Sequence, residues 1–176
     1  MVPEALAGGS GRRGARIPPH SRHATRRTPG LEAAVVDHSP MTITALDPTD
    51  PRQAVIAVAG PAALLVSKLH KLGERKNDPG RLVDKDAHDI YRLLIVTDAA
   101  KLGTRLSALA ADPLAGPGTL TAIGHLRELF AQADALGSMM AGRAEQIVGE
   151  PAVVSASATA LAGDVLAAVD AHRAPS

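Results

Sequence analysis

Lys68, Lys71 and Arg75 recur at spacings of three and four, with Leu64 one turn earlier. That rhythm sets three cations on one side of a helix, a group able to meet an anion or an acidic surface. Further along, Lys85, Asp86 and Asp89 fall in or near the first two turns of a second helix. Asp86 and Asp89, three apart, can meet on one face. Lys85 beside a helix N-terminus opposes the macrodipole, whereas Asp84 and Asp86 suit it, so Lys85 points to a task other than helix stability. The bland alternative is a solvated face, with Lys85 and Asp89 an ordinary i, i+4 pair worth a few tenths of a kcal/mol.

The elements that must position these residues follow from apolar spacing. Gly60-Pro61 punctuates a strand-to-helix junction, with proline in the first turn where its missing N–H costs nothing. Ala62, Leu65, Val66, Leu69 and Leu72 then share one helical face. Residues 76–80, Lys-Asn-Asp-Pro-Gly, read as a loop. The second helix starts near Asp84 as N-cap and buries Ala87, Ile90, Tyr91 and Leu94. Helices are expected over 99–111, 119–135, 138–149 and 152–172, broken at Asp112-Pro113, Gly116-Pro117-Gly118, Gly137-Ser138 and Gly149-Glu150-Pro151. Upstream, residues 41–45 alternate like a half-buried strand, and 54–59 form a short apolar run like a strand covered on both faces. Asp47-Pro48-Thr49-Asp50-Pro51 turns between them, and 31–36 reads as a further strand. The fold class is therefore α+β: a small, partly antiparallel sheet followed by a helical domain, mostly helical overall. It divides into 1–30, a flexible basic arm or loop expected to be poorly ordered or extended; 31–59, the sheet; and 60–176, the helical domain.

Composition narrows the function. The chain has 176 residues and a formal charge of +1, so no global field draws it to nucleic acid or membrane. Without cysteine there is no disulfide or thiolate chemistry. One Tyr and one Phe cannot build a base-stacking platform. No apolar run is read as reaching the roughly 20 residues that span a bilayer, so a cytoplasmic protein without a membrane partner is expected. The content of Ala, Gly, Arg and Pro suits a GC-rich bacterial genome. Residues 1–30 hold arginines 12, 13, 16, 22, 26 and 27 against one acid, Glu4, a local charge that suits a mobile arm or phosphate contact.

Two motifs are decoys. Gly9-Ser10-Gly11-Arg12-Arg13-Gly14 spells the dinucleotide fingerprint, but only eight residues precede it and Ile17-Pro18-Pro19 forestalls the helix it needs. His20 and His23 lack the further ligands a metal site requires.

Residues 63–72, Ala-Leu-Leu-Val-Ser-Lys-Leu-His-Lys-Leu, then Arg75, then residues 85–94, Lys-Asp-Ala-His-Asp-Ile-Tyr-Arg-Leu-Leu, resemble AbiEii-type nucleotidyltransferases of the polymerase-β superfamily. That family pairs a lysine-bearing helix with a following K/R-D-x-x-D helix, after a small mixed sheet. The likeness covers about 35 residues and extends, less specifically, back to residue 31. It implies that Lys68 faces a nucleotide triphosphate, and that Lys85, Asp86 and Asp89 belong to a second lysine–aspartate motif of the same cleft. It further implies Mg²⁺, an NTP donor, and an acceptor hydroxyl that is often on tRNA in toxin members, which pair with an antitoxin protein.

The same likeness demands a Gly-Ser turn and, about ten residues later, Asp-x-Asp on a strand. Gly8-Gly9-Ser10 is followed by no such pair, Asp37-His38-Ser39 has one acid, and Asp47 and Asp50 sit in a Pro-rich turn. Catalytic and metal-binding residues are therefore unassigned. The expectation is a nucleotidyltransferase-like chain inactive alone: a fragment, a start codon assigned too far downstream, or a decayed enzyme. Met1-Val2-Pro3 reads as the end of a strand. The alternative is a non-enzymatic helical module that binds a partner through the 64/68/71/75 stripe.

Overall fold

A computed structural model of the chain describes residues 1–7, 14–15, 18–21 and 25–173. Seven α-helices are formed among them: α1 Glu32–Val36, α2 Pro61–Arg75, α3 Asp84–Val96, α4 Ala99–Ala111, α5 Gly116–Leu129, α6 Leu136–Ala144 and α7 Pro151–Arg173. Four strands accompany them. β1 (Val2–Pro3) pairs in parallel with β2 (Arg27–Thr28), and β3 (His38–Thr44) pairs antiparallel with β4 (Gln53–Ala59). The fold is a mostly helical α+β arrangement.

The apolar stripes assemble one core. Ala62, Leu65, Val66, Leu69 and Leu72 of α2 are all buried, as are Ala87, Ile90 and Leu94 of α3, while Tyr91 is half-buried. α2 lies against α3 and α5, α3 against α6, and α7 runs along α4 and α6. The buried stripe of α7 is narrow: Ala158, Ala162, Val165 and Val169, spaced four, three and four. Small residues let its neighbours approach closely. A methyl group built on Gly103 would stand 2.4 Å from that of Ala168. α7 corrects one expectation, since residues 151–172 are long and apolar enough to cross a bilayer by length and composition. Their buried stripe packs into this core.

Several local readings are also corrected. Residues 31–36 form helix α1 rather than a strand. Pro29-Gly30 turns the chain, Gly30 taking φ of 80°, and Glu32 in the first turn is buried with its Oε1 accepting from the Ala5 N–H at 2.9 Å. Asp84 is the first helical residue of α3 and caps nothing, because Arg143 of α6 takes its carboxylate at 2.7 Å. α4 does have a side-chain N-cap of its own, where Asp98 accepts from the Lys101 N–H. Gly116-Pro117-Gly118 opens α5 instead of breaking the chain, with proline in its first turn. β3 is exposed throughout, and β4 is exposed except for the half-buried Val58 and Ala59, so neither strand has the cover its pattern suggested.

Within 1–30, β1 pairs with β2, Gly14 bridges Arg26, and Ala15 is fully buried. The fingerprint-like residues 9–13, the Gly8-Gly9-Ser10 turn, His23 and arginines 12, 13, 16 and 22 lie outside the described residues.

Candidate functional site

The connection over residues 76–83 is short, so α2 and α3 run as neighbours and their polar stripes meet at one edge. The Lys68 Nζ donates to Asp89 Oδ2 at 2.6 Å, and the Lys85 Nζ reaches both oxygens of Asp89 at 3.0 Å. Asp86 serves the other pair: the Lys71 Nζ donates to Oδ1 at 2.5 Å and the Arg75 Nη1 to Oδ2 at 2.7 Å. Lys68, Lys85 and Asp89 are thus brought together, while Asp86 stands one turn away with partners of its own. Asp86 is almost wholly buried, its side chain 4% exposed.

The electrostatics follow from this geometry. Burial pulls the Asp89 carboxyl upward, but hydrogen bonds from Lys68 and Lys85 outweigh it and hold the group below the ordinary carboxylate range. A carboxyl lowered on folding contributes stability that is fully present above its unfolded value of about 3.9 and is lost as pH falls through the folded value. Wild type should therefore exceed Asp89→Asn in urea midpoint at neutral pH, and the gap should close as pH drops below about 4. A gap independent of pH would show that the charge of Asp89 is not what ties α2 to α3.

Along the C-terminal half of α2 the stripe faces a cleft of about 620 Å³. Lys68, Lys71 and Arg75 form one wall, Arg26, Arg27 and Arg81 add cations, and Glu4 and Glu74 are the acids among the lining residues. Lys85, Asp86 and Asp89 stand outside this lining, on the far side of the stripe. Gly30 seats the opposite wall: with φ of 80° its backbone lies against the His70 ring, where a Cβ would come within 2.3 Å of Cδ2. His70 is itself fixed, its Nε2 lying 2.8 Å from the Gly118 carbonyl oxygen. The Arg27 Nε donates to the Gly14 carbonyl at 2.9 Å, so the β2 arginine is held by backbone.

Sequence spacing marked Lys71 and Arg75 as part of the stripe but not as site residues. Arg81 was missed, because a basic residue in a short loop carries no periodicity. Arg26 and Arg27 were noticed only as part of a basic arm; the pairing of β1 with β2 puts them opposite α2. Other polar contacts of α3 are structural ties to α6 and its C-terminal end: the His88 ring hydrogen-bonds Glu145, and Asp84 pairs with Arg143. Comparison of the chain with protein-family models, curated proteins and solved structures gives no match.

Proposed function

We propose that the α2–α3 edge and its cleft bind the polyphosphate of a nucleoside triphosphate, and that the protein is nucleotidyltransferase-like. The observation supporting this reading is a charge count at one edge. Four cations, Lys68, Lys71, Arg75 and Lys85, share two carboxylates, Asp86 and Asp89. Even fully paired, the edge keeps a surplus of two positive charges, and Arg26, Arg27 and Arg81 line the adjoining cleft. An ordinary solvated stripe needs no convergence of this kind, whereas a polyanion needs several charge-assisted donors together. In the empty protein the aspartates hold the lysines in place. An arriving phosphate competes for the same ammonium groups.

The carboxylates of this edge do not fit Mg²⁺. Asp86 and Asp89 are each committed to two cationic heads, and among the described residues no three metal-ligating side chains converge. The proposal for this chain is therefore binding, without nucleotide transfer by the chain alone. A tRNA acceptor and an antitoxin partner belong to the same proposal and rest on the resemblance described above; a cytoplasmic location is proposed from the absence of cysteine.

Calorimetric titration with inorganic tripolyphosphate and with each of the four NTPs tests it. Lys68→Ala should weaken binding roughly ten-fold or more, since a hydrogen bond to a charged group is worth about 1.5–3 kcal/mol. Binding should also fall with added salt. Failure to bind any of these ligands, or affinity indifferent to Lys68, would remove the reading. Transfer of labelled nucleotide to bulk tRNA above a Lys68→Ala control would instead overturn the claim of inactivity alone.

A further inference from the structure

The β3–β4 ribbon has two faces and two edges, and they differ. The register sets Met41 opposite Ile56, Ile43 opposite Ala54 and Ser39 opposite Val58. Directly opposed residues point to the same face. One face therefore carries Met41, Ile43, Ala54, Ile56 and Val58, with Met41, Ile43 and Ile56 each more than two-fifths exposed. A lone two-stranded ribbon is marginal in water, and three or more strands or a covering layer are needed for stability.

The edges show where a further strand can join. Gly60 N–H donates to the Asp37 carbonyl at 2.8 Å and Ala45 N–H to the Arg52 carbonyl at 3.2 Å, one pair at each end of the ribbon. In an antiparallel ladder the bonded pairs alternate. Odd residues of β3 thus bond to even residues of β4, and the even residues of β3 turn their backbone groups outward. Pro40 is one of these, so the outer edge of β3 lacks a donor at its middle and is guarded. The outer edge of β4 carries the N–H groups of Gln53, Val55, Ala57 and Ala59, and no proline interrupts them.

We infer that this edge pairs with the β4 edge of a second copy of the chain, about a two-fold axis at Ile56, to give the four-stranded order β3-β4-β4′-β3′. Charge favours a second copy as the occupant. Close to a two-fold axis each residue lies near its own kind, so a charge there would oppose its like. Residues 53–59 carry none, and Arg52 beside them is neutralised by Asp50 at 2.5 Å. The axis at Ile56 also uses every outward donor, matching Val55 with Ala57′ and Gln53 with Ala59′. Ile56 then faces Ile56′ on the apolar side, forming the continuous row Met41, Ile56, Ile56′, Met41′.

Sedimentation of the full chain at rising concentration should show a dimer. Ala57→Pro places on β4 the same block that Pro40 places on β3, and spares the β3–β4 bonds. It should give a monomer with an unchanged helical circular dichroism spectrum. The absence of cysteine allows a test that does not depend on the folding of that variant. Under mild oxidation Ile56→Cys should form a disulfide-linked dimer, because facing residues of a non-bonded pair lie about 4.5 Å apart at Cα. Val55→Cys, displaced diagonally from its copy by about 7–8 Å, should not. A monomer at every concentration, a dimer that survives Ala57→Pro, or equal cross-linking of the two cysteine variants would each overturn the inference.

Discussion

Phe130→Ala is expected to lower the unfolding free energy by about 3–5 kcal/mol, the usual range for deleting a buried aromatic ring. Phe130 is the single phenylalanine of the chain and is 1% exposed at the end of α5. Its ring is closely fitted: a side chain added at Gly137 would stand 2.7 Å from Cε2 and 2.8 Å from the Leu129 carbonyl oxygen. Neighbours held that tightly by backbone cannot collapse into the void, which places the cost high in its range. Domains of this kind are stable by about 5–15 kcal/mol in total, so the loss is a large share. Urea unfolding followed by circular dichroism measures it, with Phe130→Leu, which keeps more of the apolar volume, as the control expected to cost less. An alanine cost no greater than the leucine cost would show that the ring is not packed in this way.

Asp37→Ala is expected to cost about 1.5–3 kcal/mol, the value of one hydrogen bond to a charged group. Asp37 is buried, and its two oxygens have different duties. Oδ2 accepts from the Ala63 N–H in the first turn of α2 at 3.0 Å, and Oδ1 from the Arg105 Nε of α4 at 2.8 Å. A carboxylate at a helix N-terminus satisfies an orphan donor and meets the positive end of the dipole. The Arg105 side chain is 46% exposed, so that pair is discounted for solvent screening and the bond to Ala63 carries most of the effect. Asp37→Asn keeps an acceptor for Ala63 and should recover more than half of the loss in urea midpoint. Equal losses in Asn and Ala would mean that charge, not the cap, is what counts.

Asp37 also marks where sequence reasoning runs out. From the chain it could be weighed only as a metal-binding acid lacking a second carboxylate, because capping from a residue 26 positions away leaves no local signal. Asp84 failed the opposite way: the local rule for a cap was met, and a distant arginine redirected the side chain. The long helices were legible because burying one face demands a 3.6-residue rhythm. α4 begins and ends where spacing put it, and the α2 stripe is buried residue for residue. The antiparallel pairing of β3 with β4 was legible from the turn between them. Their exposure was not, since an apolar run reads the same whatever lies over it. At the site, the stripe of α2 was visible in the spacing of its cations, whereas the opposite wall depends on Gly30 and on β1 meeting β2.

The position of α7 at the end of the described chain has a consequence for the order in which the protein is made. Helices α2, α3 and α5 find their partners among segments already synthesised or soon to follow. α4 and α6 do so only in part: α4 packs on α5 and α6 on α3, but the surfaces around Gly103 and Ser107 on one and Ser138 and Gly142 on the other are closed by α7. Synthesis runs from the N-terminus at about 5–20 residues per second, so both surfaces stay open until residues 151–173 leave the ribosome. The nascent chain passes through a stage with part of the apolar surface of two helices exposed, when it is open to chaperones and to its neighbours on the polysome. Release from that stage depends on a helix whose fully buried apolar face is made of alanine and valine, with Ser155 its buried polar residue.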